Sequence, residues 1–355
     1  MKKKIKVFLG GYVNFLNAQN INCRALSEHL DKEKFEVWTM LLWYQNAKDF
    51  EKESEVHYLK SRRPGRFFGW IPYFIGIMRC DVAFLPKGEY DGLCRFVSRI
   101  SGCKLFTTIE GIVDADLLRH EPYEGYIVKR YKSWYPSLYS ITRFIAKREA
   151  EVNGIQCRDK VLYLGTETEQ FIKAPHEAKS LQNIVMIGND LNRKKAAEFI
   201  EMAKLFPAIT FNIVGGNDIK GYTVGEYLQN HQVTNVTNHG LLDHTQMAEL
   251  LQTMDLMFFP SRSEGFPKVM LETACAGVPT LCYGDYGADE WITTGKDGFV
   301  VKTFEEAHAV IQNLAEHPEQ LVELSKNAVE LGKRFDWRVL VKDWEEEIIK
   351  LSGKS

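Results

Sequence analysis

No stretch of this sequence approaches the ~20 consecutive apolar residues that a bilayer-crossing helix requires. Met1-Lys2-Lys3-Lys4 opens like a secretory signal. Yet Ile5 to Leu9 is too short for the apolar region of one, and Gly10, Gly11 and Asn14 follow at once. That start is expected to be a first strand with a lysine-rich lead-in. Charge of one sign is lacking too: 45 Lys and Arg against 47 Asp and Glu leave a formal charge of −2. No global field therefore calls for nucleic acid. The 7 cysteines are odd in number and form no C-x-x-C pair. Several sit in apolar runs, as reduced core thiols do, so a cytoplasmic location is expected. There is no G-x-G-x-x-G, hence no nicotinamide cofactor is inferred. No short-period repeat or low-complexity tract appears.

What is present is alternation. A chain of 355 residues suggests two domains, each large enough to bury its own core. Short apolar strands and amphipathic helices follow one another, which favours parallel α/β sheets. Strands are expected at Ile5 to Leu9, Phe35 to Leu42, Asp81 to Leu85, Lys104 to Ile109 and Lys160 to Leu164, with helices at Asn20 to Leu30 and Asp91 to Ile100. A second cycle begins at Asn183. Its strands are Ile184 to Ile187, Ala208 to Val214 and Val233 to His239, and its helices are Lys194 to Leu205 and Thr245 to Thr253. The polar stretch from Glu167 to Gln182, holding Pro175, is the best linker. The expected domains are 1–174 and 175–336. A final helix, 337–353, carries an apolar stripe of Val339, Leu340, Trp344, Ile348 and Leu351.

The most informative segment runs from Phe259-Pro260-Ser261 through Glu264-Gly265-Phe266-Pro267-Lys268-Val269-Met270-Leu271-Glu272. Asp255 to Phe259 reads as a strand and Lys268 to Ala276 as a helix. A strand end, a loop and a helix N-terminus is where open parallel sheets bind ligands. The N-terminus suits a phosphate, and the two carboxylates accept hydrogen bonds from sugar or ribose hydroxyls. Both halves of a nucleotide sugar find partners here.

Glu264 and Glu272 resemble the E-x7-E signature of the retaining glycosyltransferases of family GT4. The flanks agree in order: Ala274-Cys275-Ala276-Gly277-Val278-Pro279-Thr280, then Gly284 to Glu290, then Gly295 to Val301. The resemblance implies an α/β chain of GT-B type, two Rossmann-like domains facing across a cleft, with the last helix returning to the first domain. It implies an acceptor-binding first domain and a donor-binding second domain. In the family the first glutamate, here Glu264, contacts the donor sugar, and the second, here Glu272, holds the ribose. Gly265, Phe266, Pro267, Lys268 and Val269 would line the sugar and diphosphate. The family's "G-R-x-x-x-x-K-G" falls on Gly188 to Lys195. Lys194 takes the lysine position on the diphosphate, Asn189 replaces the arginine, and Lys195 replaces the glycine. Arg193 stands beside the lysine as a substitute cation.

Glu110 stands where the family often has the histidine of His-Gly. It is read either as a catalytic or acceptor-orienting carboxylate, or as a cap on the next helix through Asp114. His120 is read as structural. Gly10-Gly11 is read either as close backbone approach to the donor phosphate or acceptor, or as a tight turn. Asp114-Ala115-Asp116 spells a D-x-D, but the GT-B reading needs no metal and no cofactor. Two runs, Arg62 to Phe74 and Lys129 to Tyr135, mix cations with large aromatics. They suit an anionic membrane surface or a polyprenyl-linked acceptor, or else a core helix with a basic edge. Pro72 and the glycines are expected to break any long amphipathic helix, which weighs toward the second reading.

The expected activity is metal-independent, retaining transfer of a hexose-type sugar from a UDP or GDP sugar to a glycan or lipid-linked glycan in cell-surface polysaccharide synthesis. Peripheral contact at the inner membrane face is carried as an open expectation. A nucleotide-sugar epimerase and a non-catalytic GT-B partner subunit stand as alternatives.

Overall fold

A computed structural model describes residues 3–15, 17–43, 55–61, 68–113, 121–172 and 180–354. The chain divides into two compact units, one of residues 1–165 and 337–355, the other of residues 166–336.

The first unit holds a six-stranded parallel sheet: β1 Ile5–Tyr12, β2 Phe35–Leu42, β3 Val56–Ser61, β4 Val82–Phe84, β5 Lys104–Ile109 and β6 Leu138–Ser140, in the order β3-β2-β1-β4-β5-β6. The second unit repeats it. Its strands are β7 Asn183–Gly188, β8 Thr210–Gly215, β11 Val236–Gly240, β12 Leu256–Phe259, β13 Thr280–Tyr283 and β14 Gly298–Val301, in the order β11-β8-β7-β12-β13-β14. A two-stranded ribbon, β9 Asp218–Ile219 and β10 Tyr222–Thr223, lies beside it in sequence. Each order is that of a doubly wound nucleotide-binding sheet. Each reverses direction between its first and fourth strands, at β1/β4 and at β7/β12, and such a switch point is where these sheets place ligands.

The central strands are apolar throughout because helices cover both faces. Ile184, Met186, Phe211, Ile213, Phe258 and Leu281 are buried in one core with Phe199 and Ile200 of helix Ala196–Leu205.

The last helix, Trp337–Ser352, belongs to the first unit. Trp344 sits edge-on to Phe84, 5.2 Å between centroids, and its indole N–H donates to the Tyr163 carbonyl at 3.0 Å. Leu340 and Ile348 are buried beside it, but Val339 is exposed, one residue off the expected stripe. The division between units lies at 165/166 rather than 174/175. The physical reason is local: the Thr166 N–H donates to the Phe335 carbonyl at 3.0 Å, the Thr168 hydroxyl donates to Asp336, and Phe171 is buried. These bonds tie 166–171 to the end of the second unit. Pro175 lies outside the described residues.

Three expectations need correction. Lys160 to Leu164 is not a strand; a single bridge from Val161 to Ser140 is all the pairing it has. β1 does not stop at Leu9 but runs through Gly10 and Gly11 to Tyr12. A Cβ on Gly11 would lie 2.7 Å from Cys23, and one on Gly10 would lie 2.8 Å from Leu85. The glycines therefore admit a helix and a loop close to the strand. Finally, Pro72 does not break the helix Ile71–Arg79. It sits in the first turn, where a missing N–H costs nothing.

Candidate functional site

At the switch point of the second sheet, two loops leave β7 and β12 side by side. The first is a run of turns, Leu191 to Lys195, opened by Asp190, whose carboxylate accepts the Arg193 N–H at 3.0 Å. The helix begins only at Ala196, so Lys194 lies in the turn before it rather than in its first turn. Gly215, at φ 129, crosses the end of β7 so closely that a Cβ would fall 2.1 Å from the Gly188 carbonyl oxygen. Glycine is required there, and the contact shapes the loop carrying the cations.

The second loop brings Glu264 to meet them. One oxygen of Glu264 accepts from Lys194 Nζ at 2.7 Å, from Arg193 Nη1 at 3.1 Å and from the Ser261 hydroxyl at 2.5 Å. Lys194 and Glu264 are 9% and 8% exposed, so this is a nearly dry pair with a half-exposed arginine at its mouth. The Lys194 ammonium also lies 4.5 Å from the Phe259 ring centroid. Burial pushes the Lys194 ammonium below its ordinary pKa, and Glu264 pulls in the opposite direction. Arg262 anchors the loop from its other side: its guanidinium stacks 3.7 Å over Tyr283 and pairs with Asp285 at 3.0 Å.

Beyond Glu264, Phe266 turns inward against Trp291 and Phe335, at 5.0 and 5.4 Å. Pro267 then starts the helix Lys268–Cys275. Gly265, Lys268 and Val269 are half-buried around that N-terminus. Glu272, one turn further on, is also half-buried. The one side-chain hydrogen bond it makes among the described residues is long, from the Thr166 hydroxyl at 3.4 Å. Burial raises its carboxyl above the ordinary pKa, opposed by His244, Lys268 and Thr166. Glu272 thus has acceptor capacity that its neighbours leave largely unused.

Lys195, which replaces the expected glycine, adopts the left-handed backbone conformation at φ 60 and caps the helix with no side-chain bond. The preference for glycine at that position follows from this geometry. Lys195→Gly is expected to raise stability by about 1 kcal/mol, read as a higher denaturation midpoint with an unchanged slope. A lowered midpoint contradicts the strain argument.

Asn189 is exposed just past the end of β7, and among the described residues no hydrogen bond joins it to the Lys194–Glu264 pair. Glu110 lies in the first unit at the end of β5. It accepts from Asn22 Nδ2 at 3.2 Å and from the Thr108 hydroxyl at 2.9 Å. Gly10 and Gly11 are buried in the same unit. Asp114, Asp116 and His120 lie outside the described residues, as does the capping role through Asp114.

Sequence reasoning missed a further group on the first sheet's switch-point edge. Glu89 accepts from the Tyr73 hydroxyl at 2.5 Å and the Tyr12 hydroxyl at 3.1 Å, while the Lys87 ammonium lies 4.5 Å from the Tyr12 ring centroid. Burial raises both phenols above their usual pKa and lowers that of Lys87. Ser261 was missed as well. Its only signal was its place three residues before Glu264 in a strand-to-helix loop.

A profile of the family described as Glycosyl transferases group 1 matches residues 167–331. The chain is 29% identical over 161 residues to the N,N'-diacetylbacillosaminyl-diphospho-undecaprenol alpha-1,3-N-acetylgalactosaminyltransferase of Campylobacter jejuni, covering 44% of this chain and 42% of that protein. It is 26% identical over 185 residues to the alpha-galactosylglucosyldiacylglycerol synthase of Streptococcus pneumoniae, covering 51% and 46%. The chain thus spans less than half the length of these curated relatives. In fold it is similar to Anabaena Alr3699/HepE, solved in complex with UDP. The TM-score there is 0.75 at 14% identity, over 98% of this chain and 100% of that one. The two Rossmann-like units are those of the GT-B fold.

Proposed function

We propose that this chain, whose residues 167–331 match the family described as Glycosyl transferases group 1, is a retaining, metal-independent glycosyltransferase. It moves a hexose-type sugar from a nucleotide-sugar donor to a glycan or lipid-linked glycan. One observation carries this: Lys194 and Arg193 from one switch-point loop converge on Glu264 from the other.

Transfer breaks the bond between the sugar's anomeric carbon and the diphosphate and forms a bond from that carbon to the acceptor oxygen on the same face. The acceptor's proton goes to the departing phosphate oxygen. Negative charge grows on the diphosphate as the first bond breaks, and preorganised donors lower that barrier most. Lys194 has two N–H bonds beyond the one given to Glu264. Arg193 and the helix start at Lys268 and Val269 add further donors. Glu264, held by both cations and Ser261, faces the donor sugar. Glu272 takes the ribose hydroxyls. On the first unit, Glu89 and Glu110 provide carboxylates for the acceptor.

The Anabaena structure was solved with UDP and the Campylobacter relative is named for an undecaprenol-linked sugar, so UDP sugars and polyprenyl-linked glycans are the first choices. A thermal-shift screen across UDP, GDP and ADP sugars should show stabilisation by at least one donor, since a ligand that binds only the native state raises its stability. No shift with any of them, in a folded sample, overturns the proposal. With the donor identified, turnover is expected to persist in excess EDTA. Full loss on chelation, restored by manganese or magnesium, contradicts the metal-free mechanism.

A further inference from the structure

The first unit holds a cavity that the transfer chemistry above leaves unused. It measures about 400 Å³ and is lined by Trp43, Lys60, Ser61, Phe68, Ile71 and Pro72. Trp43 stands one residue past the end of β2, and Lys60 and Ser61 close β3. The Trp43 N–H donates to the Ser61 carbonyl at 3.3 Å, which holds the two strand ends side by side. Both strands run parallel to β1, so the cavity lies on the same edge of the sheet as the β1/β4 switch point.

Its walls carry two aromatic rings that face solvent. Trp43 and Phe68 are each 57% exposed. Phe68 is held at φ 71, a left-handed conformation that a bulky side chain rarely adopts. Strain of that kind collects at ligand clamps. The Ile71 N–H locks the turn by donating to the Phe68 carbonyl at 3.2 Å.

Toward the switch point the lining becomes polar. Ser61 is buried and hydrogen-bonds to Tyr12, and Tyr12 donates to Glu89 at 3.1 Å. Tyr73 donates to the same Glu89 oxygen at 2.5 Å. The other Glu89 oxygen lies 3.8 Å from the Lys87 ammonium, too far for a hydrogen bond. A chain of hydroxyls thus runs from the cavity to a carboxylate that two buried phenols hold in place, with one oxygen still able to accept.

This pattern selects the occupant. The C–H faces of a pyranose ring pack on the negative face of an aromatic ring, and its hydroxyls find donors and acceptors in Lys60, Ser61 and Glu89. A polyprenyl chain brings no polar group to Lys60 or to the Ser61–Tyr12–Glu89 chain, and covering them with it costs free energy. The spacing sets the length of the ligand. Neighbouring strands are ~4.8 Å apart, so the cavity between β2 and β3 lies about 10 Å from the β1/β4 switch point. A single sugar ring does not reach both.

We propose that this cavity is an acceptor subsite that stacks a sugar ring against Trp43 and Phe68, so that the acceptor is a glycan of more than one sugar unit, its reacting unit at the switch point and an inner unit in the cavity. This deepens the transfer reading and rests on it for the subsite's purpose; the binding of sugar is tested without it.

The full chain is screened on an array of mono-, di- and trisaccharides of the common hexoses and N-acetylhexosamines, and the affinities of the hits are measured by calorimetry. At least one di- or trisaccharide should bind more tightly than its own terminal monosaccharide. Trp43→Ala should lower the affinity for that longer glycan about tenfold, and Trp43→Phe, which keeps a ring, should recover most of the loss. Both should melt with the wild type, because the indole is more than half exposed. Phe68→Ala, which removes the other exposed ring, is the second form of the test and should weaken the longer glycan in the same way. An array on which nothing binds, a monosaccharide that binds as tightly as its longer forms, or folded Trp43→Ala and Phe68→Ala chains that bind like wild type overturns the proposal. So does competition by a polyprenyl phosphate that carries no sugar, which makes the cavity a site for the lipid chain. A chain that is stabilised by a nucleotide sugar but binds no saccharide loses this subsite and keeps the transfer reading. A chain that binds glycans through Trp43 but is stabilised by no nucleotide sugar loses the transfer reading and keeps the sugar site.

Discussion

Lys194→Ala is expected to lower turnover by about 10²–10³, the usual cost of one preorganised donor to a developing anion, while binding of the bare nucleoside stays near wild type. The nucleoside carries no diphosphate and has nothing to lose. The split between the two measurements arises because charge on the diphosphate rises as the glycosidic bond breaks, so Lys194 holds the transition state more tightly than the ground state. The single substitution leaves Glu264 with Arg193 and Ser261 as donors, so the buried carboxylate stays partnered and the fold should survive. Arg193 is half-exposed and close enough to swing toward the vacated position. The double change Arg193→Ala with Lys194→Ala is the sharper test. It leaves Glu264 with one neutral donor, and a melting curve must accompany it because an under-partnered buried carboxylate destabilises. Lys194→Met with Arg193→Met restores apolar bulk and serves as the second form. If either folded double variant turns over near the wild-type rate, the diphosphate is bound elsewhere.

The second unit was the more readable in sequence. Strand Phe258-Phe259, the turn at Gly265 and the helix from Lys268 to Cys275 came out as the spacing implied, because an apolar strand, a breaker and an amphipathic helix are local signals. The contact of Lys194 with Glu264 was not legible, because no local rule joins residues 70 apart in sequence. What could not be read was backbone detail. The left-handed turn at Lys195 shifts the helix start by two residues, and a lysine gives no sign of it. Gly10 and Gly11 misled because a glycine pair reads equally as a turn or as a strand pressed close to its neighbours. The Tyr12–Glu89–Tyr73 group was invisible because a strand end, a helix and a loop far apart in sequence build it and none carries a motif. Pro72 misled in the opposite way: a proline marks a helix start as readily as a helix end.

Glu272→Ala is expected to weaken nucleotide binding by roughly tenfold to a hundredfold, the worth of a charge-assisted hydrogen bond of ~1.5–3 kcal/mol. Stability without nucleotide should hardly change. The carboxylate has little to lose, since its side-chain partner is a hydroxyl at 3.4 Å and burial already raises its pKa above the ordinary carboxylate value. The sign of the pH effect follows. In the folded chain ionised Glu272 costs stability at pH above its raised value, and that cost fades as pH falls toward 4.5, where the unfolded chain also takes up the proton. Ribose hydroxyls donate to the ionised form, so binding draws the pKa down and releases a proton in that window. Wild-type affinity should therefore fall as pH drops through the raised value, and calorimetry in two buffers of different ionisation enthalpy should record the released proton. Glu272→Gln keeps an acceptor without the charge. It should bind between wild type and Glu272→Ala, with the pH dependence and the proton release both gone. Unchanged affinity in a folded Glu272→Ala chain, or a Gln variant that still releases the proton, removes Glu272 from the ribose site, because no other consequence of burying this carboxylate couples nucleotide, proton and charge in that way.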